Sequence, residues 1–222
     1  MSKCRECIVY CFEITNLLWD LNEDRSNPYI KALRDKNPKN VAEFLSKWNK
    51  GRGYKKEELK KAIEKKQDNL LNMPSKDGVK KTLELANEVL KNATNKRDEE
   101  YVGSVKLSHI YHPNLFPLID NPIVKRFGLN KYKKFNDFCE HYILFKNSVD
   151  AVIKDFGIRE LIINSKGIYK LMDEILYLFI TQKRYKTIKD IFTLSGNRWC
   201  IFFIEDIINK LEKQIKLGIE RV

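Results

Sequence analysis

The sequence predicts an all-α, multi-helix globular domain. Apolar residues recur at spacings of three and four along almost the whole chain, as on the buried face of a helix. No segment shows the convincing apolar-polar alternation of a half-buried strand. The 222 residues, of which 43% are hydrophobic and 32% charged, are enough to bury a core and exclude a disordered chain.

About nine or ten helices joined by short connections are expected. In chain order, the helical patterns cover residues 4–21, 40–50, 54–73, 73–93, 132–157, 167–185 and 198–219. A turn is predicted at Asn27 and Pro28, and a loop at Gly51 to Gly53, because proline and glycine interrupt the pattern there. Ser75 has the residue type and position of a helix N-cap.

One domain spanning residues 1–222 is the simplest organisation, since no Pro/Gly/Ser-rich linker divides the chain. A weak boundary near residues 92–100, where apolar residues disappear, allows two packed lobes, 1–95 and 96–222. The longest apolar runs, such as residues 175–180, are far shorter than the roughly 20 residues that cross a bilayer. With no secretory pattern at the start, we expect a cytoplasmic protein without a membrane partner. The sequence gives no sign of an oligomeric state.

A formal net charge of +12 makes a polyanion the first partner to consider. Residues 50–66 carry eight Lys or Arg against three Glu, a pattern that a solvated surface also produces. Residues 124–134 carry five basic side chains and no acidic one, interleaved with Phe127 and Tyr132. Basic groups can hold phosphates while an aromatic ring stacks on a base, although aromatics at this spacing also form core. The basic residues of this second patch are Lys125, Arg126, Lys131, Lys133 and Lys134.

Five cysteines in a chain without an export signal indicate reduced thiols rather than a disulfide framework. Cys4, Cys7 and Cys11 have a spacing that could begin a metal site, but no second pair lies nearby to complete four ligands. The same spacing places them on one helical face. We therefore interpret them as core residues, and no cofactor is predicted.

The stretch "KLSHIYHPNLFPLIDNPIVKRFGL", residues 106–129, raises the main functional question. Asp120 precedes Asn-Pro and is therefore a natural N-cap, with Pro122 in the first turn of the next helix. The same carboxylate could be a catalytic group, and the two roles are compatible. His109 and His112 are three apart, but Pro113 ends the helix between them and Asp120, so no metal site is predicted. His109 is expected to pack or hydrogen-bond against the Asn-Leu-Phe-Pro-Leu turn, and His112 to be a turn residue.

This stretch resembles the central part of the helix-hairpin-helix DNA glycosylases. In that family a hairpin leads into a lysine-bearing helix, which is followed by a Pro-x-x-Asp segment and a helix of the form D-x-x-V-x-R-x-x-x-x-L. Asp120 falls in the place of the catalytic aspartate, and Lys106 lies near the position of the Schiff-base lysine. Val124 and Arg126 keep the V-x-R spacing of the following helix, one residue further from the aspartate. The stretch is also similar to uncharacterised proteins with a P-x-L-F-P-x-x-D segment and a later Leu-Asp, to which the Lys-Leu-Met-Asp segment ending at Asp173 corresponds here.

The resemblance implies a DNA glycosylase fold, a role in DNA repair and a DNA partner. Asp120 and Lys106 would be catalytic, while Gly103 and the basic patch of residues 124–134 would contact DNA. Tyr111 or His112 would line a base pocket. The segment before Lys106 keeps only Gly103 of the family's hairpin glycines, which otherwise bring backbone amides to a phosphate. The alternative is therefore a non-enzymatic helical module, of viral or mobile-element type, that binds DNA or a protein partner and keeps the scaffold without the chemistry.

Overall fold

The computed structural model confirms the all-α class. It describes residues 9–10, 13, 23–48, 53–72, 78–94, 99–129, 134–158, 167–180, 189–190, 193 and 198–220. Within these ranges the chain forms nine helices and no strand. They are α1 (Glu23–Asp35), α2 (Pro38–Trp48), α3 (Lys56–Asn72), α4 (Val79–Thr94), α5 (Tyr101–Tyr111), α6 (Asn121–Arg126), α7 (Phe135–Asp155), α8 (Ile168–Ile180) and α9 (Arg198–Ile219).

Most predicted helices are present, but the predicted turn at Asn27 and Pro28 is wrong. Helix α1 runs through Pro28, although proline lacks the N–H of a helical hydrogen bond. The helix continues into Tyr29 and Ala32, which are completely buried, so core packing compensates for the proline. Gly53 has a φ of 67° in the predicted loop after α2. Ser75 lies outside the described residues.

The buried apolar side chains form two clusters that meet at α4 and α5. One cluster joins α1, α2 and α3 to α4 and α5, with the aromatic rings of Tyr29 and Phe44 completely buried. The other joins α4 and α5 to α6, α7, α8 and α9, and is rich in aromatic residues along α7. Because α4 and α5 contribute to both clusters, they connect the two parts of the core.

Two cysteines lie within the described residues, one with a free thiol and one in a disulfide bond. Cys139, on α7, is a free buried thiol, and burial raises its pKa to about 12, which leaves it unreactive at neutral pH. Cys200, at the start of α9, is disulfide-bonded, so the expectation of reduced thiols is wrong at this position. The expected core stripe of Cys4, Cys7 and Cys11 lies outside the described residues. None of the helices in the described ranges has the length and apolar character needed to cross a bilayer.

Candidate active site

Helix α5 lies between the two core clusters and brings polar side chains into the interior. Residues 103–111 are all buried, so this helix has no solvent face along most of its length. Lys106 and His109 are three residues apart, which places them on the same side of the helix. Two ionisable groups are therefore buried close together at the middle of the fold.

His109 attaches the segment after α5 to the helix itself. Its Nδ1 lies 2.6 Å from the Phe116 carbonyl oxygen, which can only accept, so Nδ1 carries the proton. The Tyr29 hydroxyl lies 2.8 Å from Nε2 and donates to it. Burial lowers the pKa of His109 to about 4, so the ring is neutral. The predicted contact between His109 and the Asn114–Leu118 turn is confirmed.

The same segment is held from the other side by α7. The Tyr142 hydroxyl donates to the Pro117 carbonyl oxygen at 2.8 Å, and both Pro117 and Tyr142 are buried. Two neighbouring carbonyls, those of Phe116 and Pro117, are therefore fixed by side chains from different helices. This arrangement sets the position of Asp120, three residues further along the chain.

Asp120 occupies the predicted N-cap position of α6, but its side chain does not cap the helix. Its backbone is extended, and its carboxylate makes no hydrogen bond to the helix amides. The Asp120 Oδ1 atom lies 2.7 Å from Lys106 Nζ. The Lys106 side chain is 4% exposed and that of Asp120 is 30% exposed, so a buried ammonium holds a partly exposed carboxylate. The predicted pair of site residues is thus in direct contact.

Helix α8 adds a second charged group beside this pair. Lys170 Nζ lies 2.7 Å from Asp173 Oδ2 and 3.3 Å from Glu174 Oε1, and all three side chains are at most 6% exposed. The spacing of three and four residues puts them on one helical face. Burial lowers the pKa of Lys170, but the charges of Asp173 and Glu174 outweigh it and raise this pKa, and Asp120 adds to the effect. Asp120 also raises the pKa of Asp173, so the Lys106–Asp120 pair and the α8 group act on each other. For Asp173, burial is the largest cause of the raised pKa.

Aromatic rings from α1 and α2 lie against the two lysines. The Trp48 ring centroid is 5.3 Å from Lys106 Nζ and 5.1 Å from Lys170 Nζ. The Tyr29 ring centroid is 5.8 Å from Lys170 Nζ and stacks on Trp48. Cation-π contacts of this kind favour the protonated lysine in a site from which water is largely excluded. Trp48 itself is half-buried.

We name the five charged residues Lys106, Asp120, Lys170, Asp173 and Glu174 the charged cluster. The sequence predicted Lys106 and Asp120 as site residues, whereas Lys170 and Glu174 were not predicted. A signal for them exists in the sequence "IYKLMDEILYLFI" of α8. A helix that is apolar on every side is buried, so a lysine followed by acidic residues three and four positions later must be buried with them.

The basic patch after Asp120 is only partly described. Lys125 and Lys134 are exposed, and Arg126 pairs with Glu212 of α9 at 2.9 Å. Phe127 is a core residue and not a stacking surface. Lys131, Tyr132 and Lys133 lie outside the described residues. In the other basic region, Lys55, Lys56, Lys60 and Lys66 each pair with a glutamate, as expected of a solvated surface.

Three predicted contact residues are placed differently from the expectation. Gly103 lies in the first turn of α5 and is buried, and a Cβ there would be 2.8 Å from the Tyr54 hydroxyl oxygen. Its backbone is therefore not presented to a phosphate. Tyr111 is 2% exposed and belongs to the core, which does not fit a base pocket. His112 is half-buried, and its Nε2 lies 2.7 Å from the Leu70 carbonyl oxygen, so it attaches the end of α3.

Within the described ranges, no group of three or more His, Cys, Asp and Glu residues is arranged to hold a metal ion. Comparison of the chain with protein-family models, curated proteins and solved structures finds no match. The charged cluster and its surroundings are therefore the basis for any functional proposal.

Proposed function

We propose that this chain is a DNA-binding protein of the glycosylase type that hydrolyses an N-glycosidic bond, with Asp120 as the catalytic carboxylate. The observation that supports this best is the exposure of Asp120. It is 30% exposed, whereas the other four members of the charged cluster are at most 6% exposed. Asp120 is thus the carboxylate of the cluster that a substrate can touch.

The chemistry of such a reaction requires a fixed negative charge. Cleavage of the bond between a base and its sugar develops positive charge on the sugar, and a carboxylate in a dry site stabilises that charge strongly. The Asp120 carboxylate is fixed by Lys106 at 2.7 Å and by the clamped segment before it. Water is the second reactant, and a partly exposed carboxylate can also accept its proton.

Lys106 is better suited to orienting Asp120 than to attacking the sugar. A lysine is a nucleophile only when its amine is neutral. Lys106 Nζ contacts the Asp120 carboxylate at 2.7 Å, lies over the Trp48 ring and belongs to a side chain that is only 4% exposed, so it is held away from a substrate. We therefore propose hydrolysis with water as the nucleophile, in preference to a lysine-linked intermediate.

The charge next to Asp120 supports a nucleic-acid substrate. Helix α6 starts directly after Asp120 and carries Lys125 and Arg126 at its end. At about 1.5 Å per residue, the Lys125 backbone lies only about 8 Å along the helix axis from Asp120. Lys125 is exposed, so its charge can reach a DNA backbone.

One cleavage assay tests the proposal. Duplexes carrying uracil, 8-oxoguanine, an alkylated base or a mismatch are incubated with wild-type protein and with Asp120→Asn, and abasic sites are detected by alkaline cleavage. Asp68→Asn, the same change on the exposed surface of α3, is the matched control. We expect cleavage of at least one substrate, lost in Asp120→Asn and kept in Asp68→Asn. Failure of the wild type on every substrate would refute the enzymatic proposal.

A second candidate is a DNA-binding or protein-binding module without catalysis. The burial of Gly103 favours it, because the glycosylase hairpin uses exposed backbone amides for a phosphate. This candidate predicts salt-sensitive binding to undamaged duplex, weakened by Lys125→Ala and unaffected by Asp120→Asn. No binding at low salt would exclude both DNA functions and leave a protein partner.

A further inference from the structure

We propose that the outer face of α9 is a docking surface for a DNA strand, on which Glu212 holds the place of a phosphate until DNA displaces it. This inference rests on the proposed function, because it names the surface that would hold the DNA backbone beside Asp120. We name this surface the α9 face. Its residues are Asn209, Glu212, Lys213, Lys216, Leu217 and Glu220.

The α9 face lies opposite the side of the helix that packs in the core. Its members recur at spacings of three and four residues, which places them on one side of a helix. The buried side chains of α9 form their own stripe, centred on the opposite side. They are Ile201, Ile204, Ile207, Ile208, Leu211 and Ile215. Among the described residues, the α9 face lines a cleft of about 410 Å³, so a ligand has room there.

One carboxylate on this face is held by cations from two helices. Arg126 Nη2, at the end of α6, lies 2.9 Å from Glu212 Oε2. Lys216 Nζ, one turn further along α9, lies 3.2 Å from Glu212 Oε1. Each carboxylate oxygen therefore faces a different cation. The two non-bridging oxygens of a phosphodiester can take the same two partners, because the N–H donors of arginine match phosphate as well as carboxylate.

The exposure of these side chains makes their ion pairs exchangeable. The side chains of Arg126 and Lys216 are 46% and 67% exposed, whereas that of Glu212 is 22% exposed. The two cations are thus more open to a ligand than the carboxylate between them. Ion pairs between exposed side chains contribute little to stability, so replacing the carboxylate with a phosphate costs little.

Two more cations adjoin this group. Lys213 on the α9 face and Lys125 next to Arg126 are exposed, and neither makes an ion pair among the described residues. Glu220 is the other carboxylate of the face. Four cations therefore meet two carboxylates, and the surface is positive even before Glu212 is displaced. A polyanion is the partner that such a surface fits.

Helix α6 connects the α9 face to the proposed catalytic carboxylate. Arg126 is six residues after Asp120, which corresponds to about 9 Å along a helix axis. The helix between them buries Ile123 and Val124 in the core, and the pair of Arg126 with Glu212 attaches its end to α9. DNA held at Arg126 is therefore close to Asp120.

The consequence of this arrangement is a moderated affinity for DNA. In the free protein Glu212 neutralises part of the charge of Arg126 and Lys216, and a phosphate must compete with it. Each phosphate that these cations neutralise releases counterions, which makes binding sensitive to salt. Removal of the Glu212 charge should therefore tighten binding and steepen its salt dependence, whereas removal of a cation should do the opposite.

Fluorescence anisotropy of an undamaged, labelled duplex at several salt concentrations tests the surface. Lys213→Ala and Lys216→Ala should each weaken binding about five- to tenfold at about 50 mM salt, and lower the slope of log K against log salt by about one. Lys61→Ala is the matched control, because Lys61 is exposed on α3, in the other basic region. It should change neither quantity.

A second pair of variants tests the exchange itself. Glu212→Gln keeps the size of the side chain, removes its charge and should tighten binding at least about threefold. Glu64→Gln removes the same charge from the Lys60–Glu64 pair on α3, so it corrects for the change in net charge. If Glu212→Gln binds no more tightly than Glu64→Gln, the exchange is overturned. Equal losses in Lys213→Ala and Lys61→Ala overturn the surface.

The cleavage assay separates this inference from the proposed function. Selective loss of binding in the α9 variants, without cleavage of any damaged duplex, supports the surface and refutes the glycosylase. Cleavage that depends on Asp120, together with unchanged binding in Lys213→Ala and Lys216→Ala, supports the glycosylase and refutes the surface. No binding of the wild type at low salt refutes both.

Discussion

The neutral, buried ring of His109 makes the stability of this protein depend on pH between about 4 and 6.5, the ordinary histidine value. In the unfolded chain the imidazole takes up a proton as the pH falls below about 6.5. In the folded protein it stays neutral until the pH approaches about 4, because burial opposes the charge and Lys170 repels it. The unfolded state therefore binds more protons in this interval, and the free energy of unfolding falls as the pH falls.

The size of the effect follows from the two pKa values. At pH 5, the unfolded state gains about 2 kcal/mol from protonation of His109, and the loss approaches about 3 kcal/mol near pH 4. This is a large part of the roughly 5–15 kcal/mol that stabilises a typical domain. The carboxylates with lowered pKa values, such as those of Asp35 and Glu43, contribute mainly below about pH 4.5. The raised pKa of Asp173 contributes with the opposite sign, so the difference between wild type and a His109 variant, and not the total change, isolates the histidine.

The assay is urea denaturation of wild type and His109→Asn at pH 7 and pH 5. Asparagine can still donate to the Phe116 carbonyl but does not titrate, so the variant should lose about 2 kcal/mol less than wild type between the two pH values. His112→Asn is the matched control. Burial lowers the pKa of His112 as well, but its ring is half-buried, so its share should be smaller.

Equal losses in wild type and His109→Asn between pH 7 and pH 5 would refute this reasoning. NMR provides a direct check, since the His109 ring should remain neutral, with its proton on Nδ1, until the pH approaches 4. Lys170→Met should raise the pKa of His109, because it removes a neighbouring positive charge.

Three further predictions concern the packing around the site. Gly103→Ala places a methyl group 2.8 Å from the Tyr54 hydroxyl oxygen. This crowding should lower the free energy of unfolding, measured by urea denaturation, by about 1–3 kcal/mol. An unchanged midpoint would show that the Tyr54 side chain moves aside freely. Tyr142→Phe leaves the Pro117 carbonyl without its hydrogen-bond donor and should lower the free energy of unfolding by about 1–3 kcal/mol in the same assay. If the free energy of unfolding does not change, this hydrogen bond does not hold the segment before Asp120. Lys106→Met leaves the partly exposed Asp120 without its partner and should cost about 1–3 kcal/mol, whereas Lys60→Ala on the surface of α3 should cost less than about 1 kcal/mol. Similar costs for the two variants would mean that the Lys106–Asp120 pair is not special.

Much of the fold could be predicted because its signals are local. The helical period located α3, α4 and α9 within a few residues, since each buries one apolar face. Pro28 misled the prediction because local preference disfavours proline in a helix, while the burial of Tyr29 and Ala32 depends on distant partners. Whether a helix continues through a proline is therefore decided by residues that lie far away in the sequence.

In the candidate site, too, some relations between residues are visible in the local sequence, whereas others arise only from the fold. The segment from His109 to Asp120 contains its own turn and helix start, so its residues could be recognised together. The direction of the Asp120 side chain could not be predicted, because a cap and an ion pair compete and only the fold brings Lys106 within 2.7 Å. Lys170 and Trp48 join the site from separate helices, a relation that no sequence spacing indicates.

The charged cluster is more easily explained by function than by stability. Buried ion pairs rarely stabilise a protein more than apolar side chains of the same volume, because the cost of removing charges from water offsets their attraction. Here the two core clusters already supply apolar packing on both sides of α5, so the fold does not need five charges at this place. What the cluster provides and apolar residues cannot is a strong, fixed field at the carboxylate that reaches solvent. The exposure of Asp120, with four buried charges behind it, is the arrangement that a reaction developing positive charge would use.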